Sequence, residues 1–542
     1  MKPICSTENF TDFIQYDCIY VDKTEYIYNL AKLPNRIFIS RPRRFGKSLT
    51  LNTIATLFES GIEPYFKGTW IYDKWKDTTY PVLRINLVNY AFKDLNKFKL
   101  QLTDYITAFA YKNHVEGYVA SGEPNVAIKN LLDSLNDAKR KIVVLIDEYD
   151  CQMTANINNP DLYGDFKDCL REFYGAIKGK AAIRFLGVTG VTRLKNVSIF
   201  SVGSDINDIT NDSTYSQLIG FTKDEIRKFY FDYLKLATAY EYNINEDNVT
   251  DEQLESMLDK LAQNYDGYCF DEDYEKKVFS TWSVNNFFQN VYKKKKIQFG
   301  EYWYSNGGVP SILANYLTSH ELNIFDFLNK DIIVKVTDDE FENPTALTDI
   351  NQSVLMCQTG YLTLRSSITD SNIIALGIPN GEVYKALNKL LAAKFFKEKI
   401  DVTNIANENI LDVGSVEDII SLLNTIVNTV TYDEYPINSE AAVQNYVKMY
   451  LLGAKQSVFS EVHQAKGRVD LIVETNKRRI VFEFKFAQNE TQSKAKLTEA
   501  VEQIKSRDYG NIVPRKDELL KIAAVFNADP EVRAFSQYQL VI

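Results

Sequence analysis

Two stretches of the chain carry acidic and basic side chains at spacings suited to phosphate chemistry. In GRVDLIVETNKRRIVFEFKFA (467–487), Asp470 falls on the first arm of an expected β-hairpin, Thr475, Asn476 and Lys477 supply its turn, and Glu483 and Lys485 fall on the second arm. Glu483 and Lys485 are two residues apart, so both project to one face of their strand while Phe484 projects to the other. An Asp and a Glu converging from adjacent strands can hold a hard divalent cation through oxygen ligands. A lysine on the same face can orient an attacking water or offset the charge that develops at phosphorus. The pattern predicts a divalent-cation site beside a lysine, with Mg²⁺ as the cation and Mn²⁺ as its substitute. Glu461, on the preceding strand, is a further ligand or supporting acid, and Gln503, on the following helix, completes the pocket. These side chains are expected on the solvent-facing rim of a sheet, with His463 as a packing or rim residue.

The second stretch is RPRRFGKSLT (41–50), which follows the apolar run RIFIS (36–40) and opens a helical pattern. A strand, a Gly-Lys-Ser loop and a helix make a cradle whose backbone N–H groups and helix N-terminus point at an anion. Gly46 allows close backbone approach, Lys47 reaches the β- and γ-phosphates of ATP, and Ser48 offers its hydroxyl to Mg²⁺. Arg44, Phe45 and Leu49 complete the nucleotide-binding loop, and Arg41 stands where the full motif begins with glycine. Downstream, KIVVLIDEY (141–149) is a buried strand ending in two carboxylates. Asp147 is placed to hold the Mg²⁺ shell, and Glu148 to orient or deprotonate the attacking water. Thr189 and Thr192 end the next strand, where a polar group can sense the γ-phosphate, and Arg193 beside them is a candidate nucleotide contact.

The elements that must position these groups follow from hydrophobic patterning. Residues 1–220 alternate buried-strand runs, including PVLRINL (81–87) and IRFLGVTGV (183–191), with helical stretches. Such alternation predicts a parallel sheet with crossover helices. Residues 221–300 read as helical, with Thr222 and Glu225 forming a capping box. Residues 301–435 are mixed and mainly helical, with EVYKALNKLLAAKFF (382–396) the clearest helix. In residues 436–542 a helix near 440–453 precedes strands near 457–463, 469–474 and 480–486, a helix near 492–508 and a strand near 521–526, an α-β-β-β-α-β order.

Composition narrows the function classes. The 542 residues carry a net charge of −10, which excludes a uniformly basic nucleic-acid coat but leaves room for a local basic groove. Lys466, Arg468 and Lys477, Arg478 and Arg479 near the hairpin, and the run Lys293–Lys296, are candidates for phosphate contacts that read no bases. Three histidines exclude a multi-histidine metal centre, and six scattered cysteines without CxxC spacing predict neither a disulfide framework nor a zinc knuckle. With no apolar run long enough for a membrane span and no secretory leader, a reducing cytoplasm is the expected location.

VDKTEYIYNL (21–30), SRPRRFGKSLT (40–50), VVLIDEYD (143–150) and GVTGVTRL (187–194), continued by NYDGYCF (264–270), CQTGYLT (357–363) and GIPNGEV (377–383), resemble the bacterial AAA-ATPase-like family. Its members commonly carry a C-terminal PD-(D/E)XK nuclease-superfamily domain, whose acid and Glu-x-Lys are matched by Asp470, Glu483 and Lys485. The resemblance implies a multidomain α/β protein: a P-loop, AAA-like parallel sheet over 1–220, a helical lid over 221–300, a mainly helical connecting region over 301–435 and a restriction-endonuclease-like domain over 436–542. The expected partners are ATP, nucleic acid and a second copy of the chain, with no membrane. The rival expectation is an ATP-dependent switch or scaffold whose nuclease-like domain is inactive and only binds nucleic acid or protein.

Overall fold

The computed structural model describes the chain apart from residues 195–204, 306–312, 314–315, 317–326, 328–329, 345, 348, 369–371, 397–404, 429–435, 455–456, 465–466, 476, 508–515 and 542. It divides into two units. One comprises Met1–Leu322 with Asp331–Val383, the other Asn323–Lys330 with Tyr384–Ile542.

The apolar runs of the first unit form a sheet of β1 (Asn35–Ser40), β2 (Val82–Asn86), β3 (Ile142–Asp147), β4 (Ile183–Gly190) and β5 (Asn207–Asp208) in the order β2-β3-β4-β1-β5. Every pairing in it is parallel. Strands covered on both faces need apolar residues at consecutive positions, and β3 and β4 are buried along their whole length. Because all strands run the same way, the loop after β1, the acids ending β3 and the threonine-rich end of β4 emerge at one edge of the sheet. That edge is where open α/β sheets bind ligands.

Helices Lys223–Phe229, Phe231–Tyr242, Asp251–Tyr265 and Thr281–Lys294 pack around Ile226, Leu234, Leu258 and Phe287. The expected capping box opens the first of them: the Glu225 N–H donates to Thr222 Oγ1 at 3.1 Å, and Glu225 Oε2 accepts from the Thr222 N–H at 2.8 Å. Tyr268–Cys269 (β6) and Lys277–Val278 (β7) pair as a short hairpin. Farther on lies an antiparallel sheet of β8 (Ile333–Thr337), β9 (Thr363–Ile368) and β10 (Ile373–Gly377), with β10 in the centre.

Cys5 and Cys18 form a disulfide, with Cα atoms 5.9 Å apart, where the scattered cysteine spacing predicted none. The segment between them doubles back, and the Ile19 N–H donates to the Pro3 carbonyl at 2.9 Å, which sets the two residues side by side. No described helix is long and apolar enough to cross a membrane.

The second unit contains the expected α-β-β-β-α-β succession: helix Glu440–Gly453, β11 (Ser457–Gln464), β12 (Gly467–Glu474), β13 (Arg478–Ala487), helix Glu490–Arg507 and β14 (Glu518–Asn527). A further strand, β15 (Ala534–Leu540), lies antiparallel on β14; its half-exposed residues give a weak strand pattern. The sheet order is β11-β12-β13-β14-β15, with β13 and β14 parallel and the other pairs antiparallel. Ala500 and Ile504 of the second helix pack on Val481 and Ala523 and hold β13 and β14 under it.

Candidate active sites

In the first unit, helix Lys47–Ser60 begins directly after the loop that leaves β1, and Gly46 precedes it with φ +106°, a conformation that a side chain disfavours. Ser48 Oγ donates to Asp147 Oδ2 at 2.6 Å, and the Thr189 hydroxyl donates to Asp147 Oδ1. The helix that follows β1 and the ends of β3 and β4 are thus joined through one carboxylate. Lys47 is buried; its Nζ donates to the carbonyls of Arg41 and Pro42 at 3.1 and 3.3 Å and lies 3.6 Å from Glu148 Oε1. Glu148 has φ +53°, in the left-handed region. Burial pushes its carboxyl up from the usual range, with the Lys47 ammonium pulling the other way. A cavity of about 770 Å³ opens onto Lys47, Ser48 and Glu148, lined also by residues 43–46, Leu49, residues 218–221 and Trp282. That volume lies within the range of about 300–1,000 Å³ typical of small-molecule sites.

Other expected nucleotide contacts are engaged elsewhere. Arg44 Nη1 donates to the Trp303 carbonyl at 2.6 Å, and its guanidinium lies 5.0 Å from the Trp282 ring centroid. Phe45 is buried edge-on against Tyr268 and Phe270, while Leu49 lines the cavity. Arg193 Nε donates to Asp208 and Nη1 to Glu342, both at 2.5 Å. The Thr192 hydroxyl and N–H both donate to Asp150 Oδ2, at 2.5 and 2.7 Å. Asp150 was not singled out from the sequence; it follows the two recognised acids and fixes the turn after β4.

Trp303, which anchors Arg44, is held in turn by Glu382. The Trp303 N–H donates to Glu382 Oε1 at 2.8 Å, and Ser283 Oγ donates to Oε2 at 2.6 Å. Burial pushes this carboxyl up from 4.5 to about 7. The protonated group therefore contributes stability that is complete below the ordinary carboxylate value and is lost as pH rises through 7. Thermal stability should fall between about pH 4.5 and pH 7.5, by on the order of 3 kcal/mol from this group. Glu382→Gln, whose amide can accept from Trp303 and donate to Ser283, should flatten the fall. An unchanged slope in melting curves of Glu382→Gln would place the titration elsewhere.

In the second unit, Phe482 and Phe484 stack on one face of β13 with centroids 5.4 Å apart, leaving Glu483 and Lys485 on the other. The ladder between β12 and β13 ends at Leu471↔Phe482. Immediately beyond it, Asp470 Oδ2 accepts the Phe484 N–H at 2.8 Å, so a side chain takes over from backbone pairing. Lys485 Nζ donates to Glu483 Oε1 at 2.9 Å, to the Phe484 carbonyl at 3.1 Å and to Glu440 Oε1 at 3.4 Å. Glu483 is 0% exposed and Lys485 5%, which corrects the expectation of a solvent-facing rim. Burial, with Asp470 adding to it, pushes the Glu483 carboxyl up to about 7. Burial opposes the Lys485 charge, but its bond to Glu483 together with the negative charges of Glu483, Glu440 and Asp470 outweighs that and holds the ammonium above its usual value.

Glu483 Oε2 is buried and has no hydrogen-bond partner among the described residues. An unsatisfied carboxylate oxygen beside a second carboxylate fits a divalent cation, which Asp470 and Glu483 would hold. Among the described residues no group of three or more His, Cys, Asp or Glu residues is placed to hold a metal. The Glu461 and His463 side chains, like Lys466, Arg468 and Asn476, lie outside the described residues. Gln503 is half-buried on the helix above the sheet, and its side chain makes no hydrogen bond to Asp470, Glu483 or Lys485. Of the hairpin's basic residues, Arg478 donates to Glu518 at 2.5 Å and Arg479 Nε to Glu474 at 2.7 Å, so both are taken up within the unit.

Residues 4–200 match the family described as predicted AAA-ATPase, and residues 438–535 match the PD-(D/E)XK nuclease superfamily. The chain joins an AAA-ATPase-like domain to a PD-(D/E)XK nuclease-superfamily domain. It is 27% identical over 522 residues to an uncharacterized protein in the vnfD 5′ region of Azotobacter chroococcum mcd 1, covering 94% of this chain and 93% of that one. Among solved structures it aligns with Cdc6p from Pyrobaculum aerophilum (12% identity, TM-score 0.22, 72% of this chain and 97% of that one). It also aligns with Aeropyrum pernix ORC2 in its ADPNP–ADP complexes (12% identity, TM-score 0.28, 69% and 92%). In the nuclease-superfamily domain, sequence reasoning missed Glu440. It stands in the first turn of helix Glu440–Gly453, capped by Ser439, whose Oγ accepts the Ala442 N–H at 3.2 Å. A carboxylate one residue after a helix cap was the available signal, but nothing local ties it to Lys485, 45 positions away.

Proposed function

We propose that the protein binds and hydrolyses ATP and that this activity is coupled to a metal-dependent phosphodiesterase acting on nucleic acid. The observation that carries the reading is the gathering of Asp470 and Lys485 at Glu483, whose buried Oε2 has no hydrogen-bond partner among the described residues. Mg²⁺ or Mn²⁺, when bound, supplies charge neutralisation and an activated water. Lys485, held by Glu483 and Glu440, presents its ammonium beside the cleaved phosphate and offsets its developing charge. In the ATPase-like domain, Asp147 holds Ser48 and Thr189 in place for the nucleotide's Mg²⁺, Lys47 turns from its own loop carbonyls to the phosphates, and Glu148 accepts the proton of the attacking water. The working division is an ATPase core over 1–220, a lid over 221–300, a connecting region over 301–435 and a nuclease domain over 436–542.

The test is a cleavage assay on single- and double-stranded DNA and RNA with Mg²⁺ or Mn²⁺, with and without ATP. Cleavage that needs the divalent ion and changes in rate on adding ATP or a non-hydrolysable analogue is expected, because coupling requires ATP to favour one conformation over another. Cleavage at one rate in every nucleotide state would leave two independent activities. No cleavage with any metal would leave an inactive, binding-only domain.

A further inference from the structure

Arg41, which replaces the first glycine of the phosphate-loop motif, does not line the nucleotide cavity. Its side chain enters a separate, small cavity in the same unit. Arg41 is 1% exposed. Its Nη1 donates to the carbonyls of Ser40 at 2.8 Å and Thr210 at 2.6 Å, and its guanidinium lies 4.2 Å from the Phe270 ring centroid. Nε and Nη2 are buried with no hydrogen-bond partner among the described residues. These two N–H groups share one edge of the planar guanidinium and point in parallel, the edge that clamps a bidentate acceptor.

The cavity holds about 30 Å³ and is bordered by Thr210, Cys269, Cys357 and Gln358 together with Arg193, a second guanidinium, and, among the described residues, by no carboxylate. The nearby acids are already committed: Asp208 accepts from Arg193 and from the Thr210 N–H at 2.9 Å, and Glu342 accepts from Arg193. A buried cation with two orphaned donors carries a desolvation cost that a wall without a carboxylate does not offset. Its complement is an acceptor bearing negative charge. The cavity is small beside the nucleotide cavity and favours a compact anion over a bulky one.

We propose that this cavity is a halide site, in which a single chloride-sized anion sits in the Nε/Nη2 fork of Arg41. The ion neutralises Arg41 and, through Nη1, pins the start of the phosphate loop to the Thr210 segment beside β5. The site stands independently of whether the loop binds ATP.

Crystals of the full chain grown in sodium bromide, with data collected at the bromine edge, test the assignment. An anomalous peak within hydrogen-bonding reach of Arg41 Nε and Nη2 is expected; water density with no anomalous signal would overturn it. In solution, replacing gluconate by bromide or chloride at constant ionic strength should raise the melting temperature by a few degrees and saturate. Gluconate is far bulkier than a halide, and the general salt effect on burial runs the other way. Arg41→Gln should lose the response. Should that variant fail to fold, Gln358→Glu supplies an internal counter-charge and should remove the halide response while retaining the fold. Identical melting of the wild type in halide and gluconate rejects the site.

Discussion

Glu483→Gln is expected to eliminate divalent-metal-dependent cleavage, a loss of at least about a hundredfold, while the protein stays folded. Glutamine matches the shape of the buried glutamate and still accepts from Lys485 through its amide oxygen, but it puts an NH₂ group where Oε2 now waits for a cation. Asp470→Asn should act alike at the metal, and its amide oxygen can go on accepting the Phe484 N–H. Lys485→Ala should separate the two roles: Mn²⁺ binding persists because an ammonium does not ligate a hard cation, while cleavage falls by roughly a hundredfold or more. Calorimetric Mn²⁺ titrations alongside cleavage rates of the three variants decide the matter. Wild-type rates in Glu483→Gln would move the chemistry to other residues.

Lys47→Ala is expected to weaken ATP binding by roughly 10- to 100-fold, since hydrogen bonds to charged groups contribute about 1.5–3 kcal/mol. Removing the ammonium also strips Glu148 of the charge that opposes its upward shift, so the variant should hold Glu148 protonated to higher pH. Glu148→Gln should bind ATP as the wild type does but release phosphate roughly 10²- to 10⁴-fold more slowly, because an amide accepts no proton. Calorimetry with ATP and a phosphate-release assay measure the two effects separately. Unchanged affinity in Lys47→Ala would remove the loop from the nucleotide site.

What could be read in advance was what the chain encodes locally. Gly-Lys-Ser after an apolar strand, two acids ending β3, a capping box at Thr222, and the alternation that sends Glu483 and Lys485 to one face are patterns within a few residues. Their geometry follows from one strand or one turn. Groups joined through the fold were hidden. Glu440 reaches Lys485 only because helix Glu440–Gly453 packs beside β13, and Arg193 meets Glu342 only through a segment about 150 residues later. The burial of Glu483 was likewise invisible, since alternation assigns a face but not what covers it. Cys5 and Cys18 illustrate the same limit, because scattered spacing says nothing of where a segment folds back.

The left-handed backbone at Glu148 sets function against stability. A non-glycine residue at φ +53° costs about 1–2 kcal/mol relative to an unstrained position, and burial of its carboxyl adds to that cost. The fold would be more stable with a small, neutral, flexible residue at this turn. On the proposed reading, the position is a standing expense of ATP turnover. Variants selected for thermal resistance alone should drift away from glutamate here, and the reserve that tolerates it must come from elsewhere, chiefly the fully buried β3 and β4 on which the turn is mounted.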